Sequence, residues 1–164
     1  MSANPTIERP AFADGYQPAE PIAFDPKPWT EVAEIMNTTT SYLFATTRAD
    51  GRAHSTPVWG LIVDGNFVFS TAPQSVKAKN LYRDPRCFIQ MQINENVVLM
   101  DGVATPADPA FVSGDDFLDR YEAKYHHRPK PEDMAGSGWI VKPVTVLFWN
   151  EHAMLESQAR YRFE

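Results

Sequence analysis

The residues whose types and spacing could do chemistry are the hydroxyl and ammonium groups that begin at Ser75. Serine is a preferred helix N-cap, and Asp84-Pro85 marks a stop because the residue before a proline avoids the helical conformation. This spacing predicts a short helix over residues 75–84. Its first turn carries Lys77 and Lys79, which the helix dipole disfavours unless an anion is bound there. A hydroxyl cap, free N–H groups and two ammonium groups together predict a phosphate site.

The charge of this stretch opposes the charge of the whole chain. The 164 residues have a formal net charge of −6 and a pI near 5.2. Residues 52–86, in contrast, hold five basic and two acidic side chains, a local charge of +3. The acidic balance argues against a general nucleic-acid binder, while the local charge supports a phosphate site. Lysines near a helix start also occur on ordinary solvated faces, and the spacing alone is compatible with either interpretation.

The elements that must position this helix come directly before it. Asp64-Gly65 lies between two apolar, strand-prone runs, which is a strong signal for a β-hairpin. The first of these strands carries His54 and leads to Trp59, so it would form the second wall of the site. An ordinary, partly buried strand histidine is the alternative interpretation of His54.

Strand patterns dominate the rest of the chain. Residues 41–48 read as a strand, and residues 86–93 alternate between apolar and polar side chains. Residues 97–104 and 139–149 are apolar on both faces, which would leave a large exposed patch on a monomer and therefore predicts a homodimer. With the hairpin and a terminal edge at 159–163, the chain has six or seven strands in meander order. This pattern predicts a mainly β fold, a closed or split antiparallel barrel with short helices.

Two further helices and an N-terminal arm complete the prediction. Thr30 can cap one helix, Asp115–Tyr125 has an apolar stripe at helical spacing, and residues 126–138 read as a polar loop. Residues 1–28 cannot form a regular helix. Their scattered aromatic residues suggest an extended arm on its own body or on a partner subunit, with a disordered leader as the alternative. A single domain over residues 29–164 accounts for the rest. The arm contains Pro5, Pro10, Pro18, Pro21, Pro26 and Pro28.

Several other kinds of chemistry are not indicated. The sequence has no serine-hydrolase elbow, Walker loop, dinucleotide-binding glycine motif or CxxC pair. The single cysteine, Cys87, excludes an internal disulfide and reads as a small buried hydrophobe. His126 and His127 lack companions at ligand spacing, so no metal site is expected. Without a membrane-length apolar run or a leader peptide, we expect a cytoplasmic protein with no membrane partner.

The longest informative stretch is SYLFATTRADGRAHSTPVWGLIVDGNFVFSTAPQSVKAKNLYRDPRCFIQMQ, residues 41–92. It resembles the pyridoxamine 5'-phosphate oxidase-like superfamily of flavin and deazaflavin oxidoreductases, which has the FMN-binding split-barrel fold. The most specific pieces are ADGRAHSTPVW, FVFSTA and SVKAKNL, and the likeness runs from Trp29 through VVLMDGVA, YEAKY and ARYRF. Within the superfamily, the sequence is most similar to the branch that binds the deazaflavin coenzyme F420.

This resemblance implies a homodimer of six-stranded antiparallel split barrels, with a cofactor at each subunit interface and a small-molecule substrate. Hydride transfer between a cofactor ring and a substrate needs no side-chain nucleophile, so no catalytic residue is named. The resemblance places Ser55, Thr56, Pro57, Val58 and Trp59 along the ring, Ser70 and Thr71 beside the ribityl chain, and Ser75, Lys77, Lys79 and Asn80 at the phosphate.

Three functions remain compatible with the resemblance. The first is an F420-dependent reductase, and the second is an FMN-dependent oxidoreductase of the pyridoxamine-phosphate-oxidase type. The third is a non-enzymatic module that binds flavin or haem. Both F420 and FMN carry a phosphorylated ribityl chain, so the motifs do not separate these cofactors. The second phosphate pocket and the C-terminal segment of vitamin B6 oxidases are not found, so oxidation of that vitamin is not expected.

Overall fold

The fold is described by a computed structural model that covers residues 4–13, 15–16 and 20–164. This part of the chain contains nine β-strands, all in antiparallel pairs. They are β1 (Thr6–Glu8), β2 (Tyr42–Thr47), β3 (Ala53–Val58), β4 (Gly60–Val63), β5 (Asn66–Ser70), β6 (Arg86–Ile93), β7 (Asn96–Pro106), β8 (Gly138–Asn150) and β9 (Ala159–Arg162).

Short helices fill the breaks between the strands. They are α1 (Trp29–Thr38), α2 (Val76–Arg83), α3 (Pro109–Val112), α4 (Asp115–Tyr125), α5 (Pro131–Ala135) and α6 (Met154–Ser157), with a 3-10 turn at Glu151–Ala153. No helix among the described residues has the length and apolar character needed to cross a membrane.

The strands form one bent sheet in the order β1-β9-β8-β7-β6-β2-β3, with the hairpin of β4 and β5 joined through β5 to β8. The predicted mainly β fold with short helices is confirmed, but the sheet has nine strands instead of six and is not closed. Two strands exceed the seven strand patterns of the sequence. One of them arises because the chain changes partner at Trp59: β3 pairs with β2, whereas β4 pairs with β5. The other extra strand is β1, which pairs with β9.

The core is built by strand alternation. Five neighbouring strands each contribute one side chain to a row that is fully buried, because these residues are in register and face the same side. This row consists of Phe44, Ile89, Met100, Val146 and Tyr161. The adjacent outward row contains Leu43, Gln90, Leu99, Leu147 and Arg160.

The hairpin of β4 and β5 is buried on both faces. Phe67 and Phe69 face the main core, while Leu61 and Val68 face a second apolar cluster that includes residues of α3, α4 and α5. Helix α4 packs over this second face, and its apolar stripe of Phe117, Leu118 and Tyr121 is buried there. This packing fixes the position of α4 beside the end of β3.

Two local predictions were wrong. Thr30 does not cap α1: the helix begins at Trp29 and Pro28 is its N-cap, without a side-chain hydrogen bond. Trp29 is buried as the first helical residue, so the start of the helix is set by packing. The predicted polar loop contains α5, which begins with a proline at the position where its fixed φ suits a helix, and which buries Met134.

The arm lies partly against the body of its own chain. Strand β1 pairs with β9, and the Glu8 carboxylate accepts hydrogen bonds from Arg160 and Arg162. The Tyr161 hydroxyl donates to the Lys27 carbonyl oxygen, 2.7 Å away. Other parts of the predicted arm, including Pro18, fall on residues 1–3, 14 and 17–19, which lie outside the described residues.

Candidate functional site

The predicted helix at Ser75 is confirmed as α2. Ser75 is its N-cap, and its Oγ accepts a hydrogen bond from the Ala78 N–H at 3.2 Å. The Thr71 Oγ1 lies 3.0 Å from the same Ser75 oxygen. Asp84 ends the helix in an extended conformation, as expected before Pro85. Two hydroxyl groups therefore meet at the N-terminal end of α2.

A basic cluster lies beside this helix end. Lys77 is half-buried, whereas Lys79 is exposed. His54 on β3 has a pKa below its usual value, mainly because it is partly desolvated and also because Arg48 and Lys77 are positively charged neighbours. The Arg48 Nη2 lies 3.0 Å from His54 Nδ1, and a guanidinium can only donate. The His54 Nδ1 therefore accepts from Arg48, which places the proton of the neutral imidazole on Nε2.

Asn80 has a different environment from the predicted phosphate contact. Its side chain is only 4% exposed, and its Nδ2 donates to Thr46 Oγ1 at 2.9 Å. Its Oδ1 accepts a long hydrogen bond of 3.5 Å from Arg83. The Asn80 amide therefore joins α2 to β2 inside the protein, and both of its polar atoms already have partners there.

The five residues predicted along the ring lie on or directly after β3 but do not face the same side. Ser55 and Pro57 are exposed on one face, Thr56 is half-buried on the other, and Val58 packs into the main core. Because the Val58 side chain is buried, this residue can offer a ligand only its backbone groups. The Thr56 Oγ1 is buried and has no hydrogen-bond partner among the residues that the structure describes, which is rare for a buried hydroxyl.

Strand β3 is an edge of the sheet in the described part of the chain, since it pairs with β2 alone. The backbone groups on the free side of an edge strand are available to form hydrogen bonds with another molecule. Ser70 ends β5, and the Thr71 N–H donates to the Ser137 carbonyl oxygen at 3.0 Å. The free edge lies on β3, which also carries His54 of the basic cluster. The hydroxyl pair lies where the chain passes from β5 into α2.

Trp59 is 50% exposed and stacks face to face on Tyr125 of α4, with ring centroids 4.7 Å apart and planes 5° apart. The Tyr125 hydroxyl accepts from the Gly60 N–H and donates to the Gly60 carbonyl oxygen, both at 2.8 Å. These contacts fix the chain at the point where β3 ends and β4 begins. Sequence reasoning missed this role of Tyr125, and the only signal for it was the YEAKY likeness.

Two further groups bear on the chemistry of the site. Arg48 was missed in the sequence, although it lies at the end of β2, where the register of β2 and β3 brings it close to His54. Cys87 is buried, and burial raises the pKa of its thiol to about 12. The prediction that Cys87 is buried is confirmed. No cluster of metal-ligating side chains is found among the described residues.

Comparison with known proteins gives a family and a fold. A sequence model for the family described as pyridoxamine 5'-phosphate oxidase matches residues 29–150. Among solved structures, a conserved hypothetical protein from Mycobacterium tuberculosis is 26% identical, with 74% of this chain and 84% of that chain covered and a TM-score of 0.62. A search of curated proteins found no match.

Two more distant structures share the fold. One is an F420 reductase, 17% identical, with 69% of this chain and 93% of that chain covered and a TM-score of 0.56. The other is a pyridoxamine 5'-phosphate oxidase-related, FMN-binding protein from Nostoc punctiforme, 19% identical, with 82% of this chain and 88% of that chain covered and a TM-score of 0.59. The fold of this chain is therefore of the split-barrel type.

Proposed function

We propose that this chain, which belongs to the pyridoxamine 5'-phosphate oxidase family, is an oxidoreductase that uses a phosphorylated ribityl cofactor. In this proposal the cofactor is coenzyme F420, with FMN as the alternative, and a hydride passes between the cofactor ring and a small organic substrate. The observation that carries the proposal is the joint placement of Lys77, His54 and Arg48 beside the Ser75 cap.

The phosphate end of the proposed site rests on charge and hydrogen-bond donors. Lys77 lies in the first turn of α2, where the dipole is unfavourable for a cation and favourable for an anion. The hydroxyls of Thr71 and Ser75 are 3.0 Å apart at the same helix end. A phosphate dianion here would be stabilised by N–H groups, hydroxyls and the Lys77 ammonium.

The ring end of the proposed site rests on the free edge of β3. Backbone N–H groups along this edge would donate to the polar rim of a tricyclic ring. When bound, the cofactor supplies the hydride acceptor or donor. The residues of this chain would bind the phosphate, orient the ring along β3 and cover part of it with apolar surface.

The identity of the ring system follows from similarity and not from the geometry of the chain. The motifs STPVW and SVKAKNL are most similar to the F420-binding branch. The fold is shared with one protein described as an F420 reductase and with another described as FMN-binding. Coenzyme F420 is therefore the proposed cofactor, and FMN and a non-enzymatic binding module are the competing outcomes of the test.

We also propose that two copies of the chain associate through the outward face of the sheet. Leu43 is 45% exposed on this face, and Leu99 and Leu147, which lie in the same row, are only partly covered. Soluble monomers seldom expose contiguous apolar surface of this kind, and a symmetric dimer is the commonest way to cover it. Light scattering at micromolar concentration should give twice the monomer mass, and a monomeric mass would refute the association.

The function is tested by cofactor titration followed by turnover. The protein is titrated separately with F420 and FMN, and binding is followed by the change in visible absorption. We expect tighter binding of F420, followed by oxidation of the reduced cofactor when an electron acceptor such as menadione is added. Tight binding of FMN alone would support the alternative cofactor. Binding without turnover would indicate a carrier, and binding of neither cofactor would contradict the proposal.

A further inference from the structure

A groove of about 400 Å³ lies between the end of α1, β4 and α4, away from the Ser75 cap. Two basic residues, Arg120 and Lys124, are one helical turn apart on α4 and both line it. Its complete lining consists of Asn37, Leu61, Ile62, Arg120, Ala123 and Lys124. The groove thus combines two cations with an apolar wall.

Lys124 is half-buried in this groove, and its three hydrogen-bond partners are all neutral. Its Nζ donates to the Tyr42 hydroxyl at 2.7 Å, to the Gly60 carbonyl oxygen at 3.0 Å and to Asn37 Oδ1 at 3.2 Å. It also lies 4.8 Å from the centre of the Tyr42 ring. No Asp or Glu in the described ranges forms an ion pair with Lys124.

Lys124 has no counter-ion among the described residues, and this affects its pKa. Burial without a carboxylate disfavours the charged form and lowers the pKa of Lys124 to about 8. An incoming anion would favour the charged form and remove this penalty. The carboxylates on the neighbouring elements have other partners or places: Asp115, Asp119 and Glu122 on α4 all pair with Arg128. Asp116 pairs with Arg120 while largely exposed, and Glu34 on α1 lines an adjoining groove.

We propose that this groove binds a small organic carboxylate. Its carboxylate group lies against Arg120 and takes the place of Asn37 Oδ1, the most distant of the three acceptors, at the Lys124 ammonium. Its apolar body lies on Leu61, Ile62 and Ala123. Arginine matches the planar geometry of a carboxylate, and the apolar wall favours an organic acid over a compact inorganic anion. The site differs from the proposed phosphate site in both position and ligand, so it does not depend on the proposed cofactor.

The test is calorimetry on the cofactor-free protein with benzoate as the probe and benzamide as its neutral counterpart. We expect saturable binding of benzoate that is at least about tenfold tighter than that of benzamide, since a charged hydrogen bond is replaced by a neutral one. At pH 8 Lys124 is about half protonated, so binding should take up as much as half a proton. This uptake is measured by comparing buffers with different ionisation enthalpies.

Variants separate the proposed site from a general charge effect. Lys124→Met and Arg120→Gln should each weaken benzoate binding about tenfold or more, and Lys124→Met should abolish the proton uptake. Lys142→Met is the matched control, because Lys142 is an exposed lysine on β8, and it should bind normally. Arg120 is exposed, so its variant remains informative if Lys124→Met fails to fold.

Three results would overturn the proposal. The first is equal binding of benzoate and benzamide. The second is unchanged benzoate affinity in Arg120→Gln, or proton uptake that persists in Lys124→Met. The third is displacement of benzoate by an equal concentration of inorganic phosphate, which would make the groove a general anion site. Because cofactor titration is a separate measurement, failure here and failure of the proposed oxidoreductase function are distinguishable.

Discussion

Replacing Lys77 with alanine gives the sharpest test of the proposed phosphate site, because the structure supplies a matched control two residues away. Lys77 is half-buried and close enough to His54 to lower the pKa of that imidazole, whereas Lys79 is exposed on the same helix turn. Both substitutions remove one positive charge from the same helix terminus. They differ because the Lys77 charge acts on His54, which contacts Arg48, whereas Lys79 is exposed to solvent.

The expected effect on cofactor binding follows from the type of contact. Loss of one charge-assisted hydrogen bond costs about 1.5 to 3 kcal/mol, so Lys77→Ala should weaken cofactor binding about 10- to 150-fold. Lys79→Ala removes only an exposed charge, which is worth at most about 1 kcal/mol. Its affinity should therefore fall no more than about fivefold.

The expected effect on the cofactor-free protein has the opposite sign. A cation in the first turn of a helix is unfavourable by about 0.3 to 1 kcal/mol, so removing Lys77 should leave the free energy of unfolding unchanged or raise it slightly. The pKa of His54 should also rise toward its usual value, because one of the charges that depress it is gone. A role limited to folding would predict loss of stability instead.

Three measurements on the two variants decide the matter: cofactor titration, thermal unfolding without cofactor, and NMR titration of the His54 ring. Equal cofactor affinity in Lys77→Ala and the unmodified protein would refute the phosphate site at α2. Destabilisation of the cofactor-free Lys77→Ala protein would refute the electrostatic reasoning even if binding were lost.

The remaining predictions concern other parts of the fold. Asn80→Ala should lower the free energy of unfolding, measured in urea, by about 1 to 3 kcal/mol, because the buried Thr46 hydroxyl loses its partner. An unchanged urea midpoint would contradict this. Gly60→Ala should lower the free energy of unfolding by about 1 to 3 kcal/mol, since the new Cβ would lie 2.4 Å from a Phe67 ring carbon. Gly136→Ala is the control and should leave stability unchanged, because its Cβ would enter open space. Ion pairing lowers the pKa of Glu8, so its stabilisation of the arm is present above pH 4.5 and lost as the pH falls further. The protection factors of the β1 amides, which correct for the slower intrinsic exchange in acid, should therefore fall at low pH, and Glu8→Gln should lower them already at neutral pH.

Local sequence signals predicted the elements that rely on neighbours in the chain. The period of two along 86–93 predicted β6, and the serine cap with Asp84-Pro85 predicted α2 within a residue at each end. Apolar spacing predicted the full extent of α4. These elements follow from the sequence because capping and alternation depend on residues a few positions apart.

Features that depend on distant residues were not predicted. The break at Trp59 depends on Tyr125, which is far along the chain but stacks on the indole and bonds to Gly60. The burial of Asn80 depends on which face of α2 meets β2, and helical spacing alone does not determine this. The sequence therefore predicted the backbone of the candidate site better than the orientation of its side chains.

The pairing of β1 with β9 also determines the order in which the chain can assemble. Glu8 and Arg160 are 152 positions apart, and closing a loop of that length costs about 2 kcal/mol more than closing a ten-residue loop. A three-residue strand cannot offset this cost until β9 is already held by β8. We therefore expect the arm to dock after the sheet has formed and to be the first segment to leave during unfolding.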